Sequence, residues 1–450
     1  MPSETANMAG GPGPAAAQSN ETTLPRFDLE DLRNHGWGEK FLAWALHNPQ
    51  WWLLAPLRRF FPIARIPIVK WVGIARYDDV QEVLKRDDVF RVPFAQHVKD
   101  LGDGHNFVLG MDANQEHCRM QRGLMKEFRH EDVAAIVAPL SAKLSEEILD
   151  GCNGELDAIE GLISLVPTRI IEEYFGVRVT DTDSDQDRRD FAHWMIAMNT
   201  FTFGNPNNNP RYRAAALAAK VRVSALIERR IEEEAKKADP NPHTVLGRLI
   251  ALQRTDPPKI DAATICLWLI GMITGFVPTC TLGAGKALDE LLSRPEFLKH
   301  CQAAAAAGDD DLLLRCIHET MRFKPIFLGP QRACTRDYIL AEGTPRATLI
   351  REGEAVLPST WSAMFDARRI VDPYAFNPDR PASNYMLFGL GAHSCLGLHI
   401  AEAQVLQTMK ALLRRKNLQR APGKKGKLEW LGQIPGRLFV TFKVERGPVH

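Results

Sequence analysis

The chain has 450 residues, 45% hydrophobic and 25% charged, a composition that fits a globular protein of one large unit or a few ordinary domains. A net charge of +1 leaves no electrostatic footprint for nucleic acid. The eight cysteines (118, 152, 266, 280, 301, 316, 334 and 395) form no CxxC pair, so neither a disulfide framework nor a zinc site is expected, and a reducing cytoplasm fits.

In chain order, residues 1–26 are rich in Gly, Pro, Ala, Ser and Asn and predict a disordered tail without the basic start and apolar core of a signal peptide. Phe41–Trp71 carries Trp44, Trp51, Trp52, Phe60 and Phe61 beside Arg58, Arg59 and Arg65. Prolines and arginines break every apolar run before it reaches spanning length, so no transmembrane anchor is expected here. A packed surface helix and a peripheral membrane contact, or an entrance for lipophilic molecules, are the alternatives. Trp71-Val-Gly-Ile-Ala predicts a strand, and Val80, Val83 and Leu84 predict a helix after it, with Asp78 as its cap. Residues 93–108 are expected to form a polar loop, and Asp112–Arg122 to begin a helix. Further helices are expected over 131–151, 157–175 and 211–236, with a loop at 203–211.

Ala262–Gly285 contains no charged residue and is long enough to span a bilayer, but its threonines, glycines and Pro278 favour a buried central helix, extending to Leu292. A shorter helix over Asp309–Met321 follows, then strand-like Tyr338-Ile-Leu and Thr348-Leu-Ile, then an irregular stretch over 362–384. No repeat or composition shift marks a linker, so the chain after the tail is expected to be one mainly α unit.

The most informative stretch is Phe388-Gly-Leu-Gly-Ala-His-Ser-Cys-Leu-Gly397. It follows a short apolar run, Asn384–Phe388, expected to be extended, and precedes the helical periodicity of Leu398–Leu413. A glycine-rich turn before a helix is a way to present one thiolate as a soft ligand: turn N–H groups and the positive helix end favour charged sulfur. Gly389, Gly391 and Gly397 permit unusual dihedrals and let a flat group approach the backbone. For a lone cysteine, a buried structural role is the competing account.

The pattern Phe-Gly-x-Gly-x-His-x-Cys-x-Gly resembles the haem-binding loop of the cytochrome P450 superfamily, and companion motifs follow one another across roughly residues 65–450. The resemblance implies the P450 fold, one α-rich unit with a small β-sheet over residues 27–450, and haem b (iron protoporphyrin IX) with Cys395 as its axial metal ligand. Phe388, Gly389 and Gly397 would belong to the cofactor loop. Glu319 and Arg322, three apart on one helix, would lock to Arg380 of Phe376-Asn-Pro-Asp-Arg380 in a structural role. Cations for the haem propionates would come from His393, Arg332, His117 and, less closely matched to the family spacing, Arg122.

The central helix departs from the family pattern of a small residue, glycine and an acid–threonine pair. Counting back from Ser293-Arg-Pro295 puts Thr279 at the threonine position, Gly275 at the small residue and Pro278 where the acid belongs. Aligning on Gly275 as the pattern's glycine instead gives Val277 for the acid and Pro278 for the threonine, and either way no carboxylate is present. The alternative for Thr279 is a hydroxyl that caps a helix carbonyl. Without the acid, proton delivery to dioxygen is expected to be impaired rather than lost, because carbonyls freed at a proline kink can hold water.

The resemblance implies a monooxygenase that inserts one atom of dioxygen into a lipophilic small molecule, with NAD(P)H-derived electrons from separate carriers, ferredoxin and its reductase. The alternatives are a peroxygenase or fatty-acid hydroperoxide isomerase needing no reductase, and, more remotely, a non-catalytic haem sensor or carrier.

Overall fold

A computed structural model describes residues 25–33, 36–47, 49–66, 71–205, 209–255 and 259–444. The expectation of a disordered tail concerns mainly residues outside that set. Most of the described chain is helical, and the fold class is the expected one.

The axis of the molecule is the helix Ala262–Ser293, capped by Asp261, whose carboxylate accepts the Thr264 N–H at 2.8 Å. By length and composition it could cross a membrane. Yet 78% of its most apolar window is buried inside the protein, because helices Asp185–Phe203, Pro210–Ala235, Asp310–Phe323 and Leu398–Leu413 pack around it. A helix hydrophobic on all sides needs such a sleeve.

The sheet lies to one side. Its five strands run Ile63–Ile66, Trp71–Ile74, Ala355–Pro358, Arg332–Cys334 and Phe90–Arg91 in spatial order, with only the Trp71–Ile74/Ala355–Pro358 pair parallel. Tyr338–Leu340 and Thr348–Ile350 form the expected strands, paired as a hairpin.

Several expectations needed correction. The helix after the first predicted strand is Tyr77–Lys85, and Asp78 is not its cap: it sits in the first turn and pairs with Arg369 at 2.8 Å. The 93–108 loop contains the helix Ala95–Leu101. The next helix starts at Gln115, not Asp112, because Asn114 caps it by accepting the His117 N–H at 2.9 Å. The 157–175 stretch begins as strand Glu155–Asp157 and continues as a helix widened at Ile159–Ile163 and Ile171–Phe175. Asn384–Phe388 joins no sheet.

One buried cation links the axis to the surrounding chain. Lys286 donates to the Pro325 carbonyl at 3.0 Å and the Ile326 carbonyl at 2.9 Å, and its Nζ lies 5.9 Å from the Trp430 ring centroid. Burial, reinforced by the nearby Lys324 charge, pushes Lys286 down to about 7 from 10.5. Between those values the unfolded chain holds a proton that the folded one does not, so stability rises with pH from about 7 upward. Relative to Lys286→Met, the native protein should therefore gain about 2 kcal/mol of unfolding free energy between pH 7 and pH 9. Urea unfolding of both proteins at the two pH values checks this, and a pH-independent difference contradicts it.

Candidate functional site

A mostly apolar cavity lies between the central helix and the cysteine loop. One wall is the Gly275, Phe276, Thr279, Cys280 and Gly283 face of the helix; the opposite wall is Phe388, Gly389, Cys395, Gly397 and Ile400. Phe107, Phe175 and Phe203 close it from other elements, and the Phe175 and Phe276 rings stack at 5.7 Å.

The cysteine loop is held by its own backbone and by a close neighbour. The Cys395 N–H donates to the Phe388 carbonyl at 2.9 Å. Gly391 adopts φ +82°, and a Cβ there would lie 2.3 Å from the Leu84 carbonyl oxygen, so only glycine lets the loop seat against the Tyr77–Lys85 helix. Gly389 also has positive φ, but Gly397 does not: at φ −86° it is ordinary backbone preceding the helix Leu398–Leu413. Its value is space. A Cβ on Gly397, or on Gly275 across the cavity, would meet nothing within 4 Å.

The expected lowering of the Cys395 thiol is not what the protein alone produces. The residue is exposed to the cavity yet far from bulk water, so burial pushes the thiol up; the Gly397 N–H opposes this and the Glu402 charge adds to it. A thiolate at this position needs a cation beside it. Glu402 is the one carboxylate lining the cavity among the described residues, and it lies on the cysteine side. Its Oε1 is 3.1 Å from His318 Nε2, in poor alignment for a hydrogen bond.

His117 and His393 meet at one edge of the cavity, rings 4.9 Å apart. His117 is almost fully buried and its Nδ1 has no hydrogen-bond partner. Burial, then the Arg332 charge and His117, push His393 down to about 4. Arg332 is buried behind this pair, with Nε unpartnered; it borders a second pocket with Phe94 and His97 rather than lining the main cavity. Asp87, a residue not singled out from the sequence, counters the Arg332 charge, opposes the lowering of His393 and accepts the Ala392 N–H at 3.3 Å. Arg122 is a correction: it is exposed, donates to the Cys118 carbonyl at 3.1 Å, and does not reach the cavity.

On the helix wall the alternative account of Thr279 describes the geometry: its hydroxyl donates to the Gly275 carbonyl. The helix continues through Pro278 without a break, which corrects the expected freed carbonyl. Proline cannot donate to Thr274, four residues earlier. In its place Asn199, a buried side chain of the Asp185–Phe203 helix, donates from Nδ2 to the Thr274 carbonyl at 3.1 Å. The carbonyl is thus satisfied by protein rather than left for water.

That arrangement predicts strong coupling between two helices. Asn199→Leu should cost about 1–3 kcal/mol, the penalty for a buried acceptor without a donor. In a Pro278→Ala background residue 278 regains its N–H, so Asn199→Leu should be nearly neutral. Unfolding free energies of the four proteins should differ from additivity by about 1–2 kcal/mol; additive costs contradict the cap.

The residues fit haem. The sulfur opens onto one wall, glycines leave room on both, and an orphaned nitrogen of His117 sits buried at one edge, where a carboxylate could satisfy it, with the unpartnered Arg332 Nε outside the cavity lining.

Comparison with known proteins agrees. The "Cytochrome P450" family profile matches residues 68–441. The chain is 26% identical over 407 residues to cytochrome P450 107B1 of Saccharopolyspora erythraea, covering 86% of this chain and 92% of that one. Over 138 residues it is 32% identical to a bifunctional dioxygenase–epoxy alcohol synthase of Pyricularia oryzae, covering 31% of this chain and only 12% of that protein. A solved structure, CYP109E1 of Bacillus megaterium in complex with testosterone, superposes with a TM-score of 0.70 at 20% identity, covering 88% of this chain and all of the other. The chain belongs to the cytochrome P450 family and is an oxidoreductase of the haem-thiolate monooxygenase class.

Proposed function

We propose that this protein inserts one oxygen atom of dioxygen into a lipophilic small molecule, using NAD(P)H-derived electrons passed by a ferredoxin and its reductase. The carrying observation is the cavity between Cys395 and the central helix, which is mostly apolar. Cys395 would supply the thiolate that holds the iron of protoporphyrin IX, and His117, His393 and Arg332 would hold its propionates. Haem bound there supplies oxygen activation, with the electron-rich thiolate favouring O–O cleavage. The chain's own contribution is to bind and orient: Phe107, Phe175, Phe203 and Phe276 exclude water and favour an apolar substrate. Activity in a cytoplasmic setting with separate electron carriers is part of this proposal.

A second reading rests on the helix wall. Among the described residues no carboxylate faces the cavity from that side, the Thr279 hydroxyl is committed to Gly275, and Asn199 occupies the Thr274 carbonyl. A wall so poor in proton carriers suits a peroxide oxidant, whose O–O bond needs no protons delivered from dioxygen reduction. The name of the Pyricularia relative, an epoxy alcohol synthase, points the same way.

One comparison separates the two. Purified protein is given reduced ferredoxin with dioxygen, or a fatty-acid hydroperoxide alone. Oxygenated product only in the first arm supports the monooxygenase proposal. Rapid hydroperoxide conversion without reductant, and no turnover with ferredoxin, replaces it with the second reading.

A further inference from the structure

The aromatic residues near the N-terminus do not fold into the core. Trp37 is 80% exposed, Trp51 70% and Phe60 68%, and Phe41, Trp44, Trp52 and Phe61 are each more than half exposed. Together they make a surface that single scattered hydrophobic residues do not.

The surface has order. On the helix Gly36–His47, Trp37, Phe41 and Trp44 fall four and three residues apart on one face, with ring centroids 5.4 and 5.9 Å apart in succession. The same helix is fastened to the body elsewhere: Ala45 is buried and His47 stacks on Trp430 at 3.6 Å. Trp52 donates from Nε1 to the Ala45 carbonyl at 3.1 Å, joining the next wide turn, Gln50–Leu54, to this platform. The exposed aromatics are therefore carried on a fixed scaffold.

Charge identifies the occupant. Lys40 and Arg59 are exposed among these rings, Arg59 lying 5.9 Å from the Phe60 centroid. Arg58 is spent on Ser362 and Tyr374, and Arg65 on Glu354. Exposed tryptophans interleaved with cations match the headgroup boundary of a bilayer, where indole rings have one apolar and one wet edge. A protein interface would instead be depleted in lysine at its core. The helix has 12 residues, about 18 Å of rise, well short of the ~30 Å hydrocarbon layer, so it would lie along the surface rather than cross it.

We infer that the face formed by Trp37, Phe41, Trp44, Trp52, Phe60 and Phe61, with Lys40 and Arg59, docks this protein on an anionic lipid surface. The inference stands apart from the choice of oxidant.

Flotation of the full-length holoprotein with vesicles tests it. Partitioning onto phosphatidylcholine–phosphatidylglycerol vesicles should exceed that onto phosphatidylcholine alone by roughly twenty-five-fold, since each of the two cations near an anionic leaflet contributes about fivefold. Tryptophan emission should shift to the blue on binding. Trp37→Ser/Phe41→Ser/Trp44→Ser should lose binding about tenfold or more. Lys40→Gln/Arg59→Gln should lose only the preference for anionic lipid. Circular dichroism and haem absorbance of each variant should match the parent; Phe60→Ser/Phe61→Ser, at the C-terminal end of the helix Ala55–Phe60, provides a second loss-of-binding variant should the triple one fail to fold. No flotation of the parent, equal flotation of the variants, or a dimer in solution that the triple variant abolishes would each overturn the inference.

Discussion

Replacing Arg322 by alanine should destabilise the protein by about 3–5 kcal/mol, a large share of the 5–15 kcal/mol that holds an ordinary domain together. Glu319 and Arg322 are both fully buried, joined by bonds of 2.8 Å from Nε and from the second guanidinium nitrogen. The same carboxylate accepts the Asn377 N–H at 3.0 Å, Arg380 Nε at 3.0 Å and the Tyr385 hydroxyl at 3.1 Å. Arg322 also donates to the Met364 and Pro373 carbonyls, and Arg380 to those of Val371, Asp372 and Ala375.

Two arginines and one carboxylate thus gather the irregular chain that leads into the cysteine loop, and removing Arg322 leaves Glu319 underpaired in a dry site. Burial alone would raise the Glu319 carboxyl, but the Arg322 hydrogen bonds and charge, with Asn377 and Arg380, outweigh it and hold the group below its usual value. Its contribution to stability is therefore present above about pH 4.5 and is lost as pH falls through the lowered value. Thermal melts should show Arg322→Ala unfolding far below the parent and taking up little haem. A variant that melts with the parent would mean that the cluster adds nothing.

How far the sequence alone carried depended on whether the deciding contact was local. The glycine–cysteine loop, the Glu319/Arg322 spacing and the uncharged central helix were legible because each is a pattern within a few residues. The cap at Asn114 and the pairing of Asp78 with Arg369 could not be chosen over rival polar residues, since both positions offered suitable side chains. Helix Asp185–Phe203 escaped notice because its second half is buried all round and so lacks an apolar stripe.

Asn199 illustrates the limit. Pro278 signals that Thr274 needs an external donor, but which asparagine supplies it depends on how two helices 75 residues apart pack. Asp87 and Glu402 were missed for the same reason: their importance lies in proximity to His393 and Cys395, not in any motif. Gly397 went the other way. The loop pattern singles it out for an unusual dihedral, yet its backbone is ordinary and a Cβ there would meet only open space.

The second large expected effect concerns Cys395. It opens onto the cavity opposite Thr279, with Gly397 beside it leaving room and Glu402 beneath. No other cysteine takes its place on that wall: Cys280, which also lines the cavity, belongs to the central helix, and burial raises its thiol strongly. Serine would keep the loop's shape but supply a hard, weakly acidic oxygen in place of a soft sulfur. Oxidation of substrate should then fall to background whichever oxidant the enzyme uses.

The most direct test is the absorption spectrum of the ferrous–CO complex. The parent protein should show the red-shifted band of thiolate-ligated haem, and Cys395→Ser should lack it while keeping the parent's circular dichroism. Retention of that band in the folded variant would contradict ligation by Cys395.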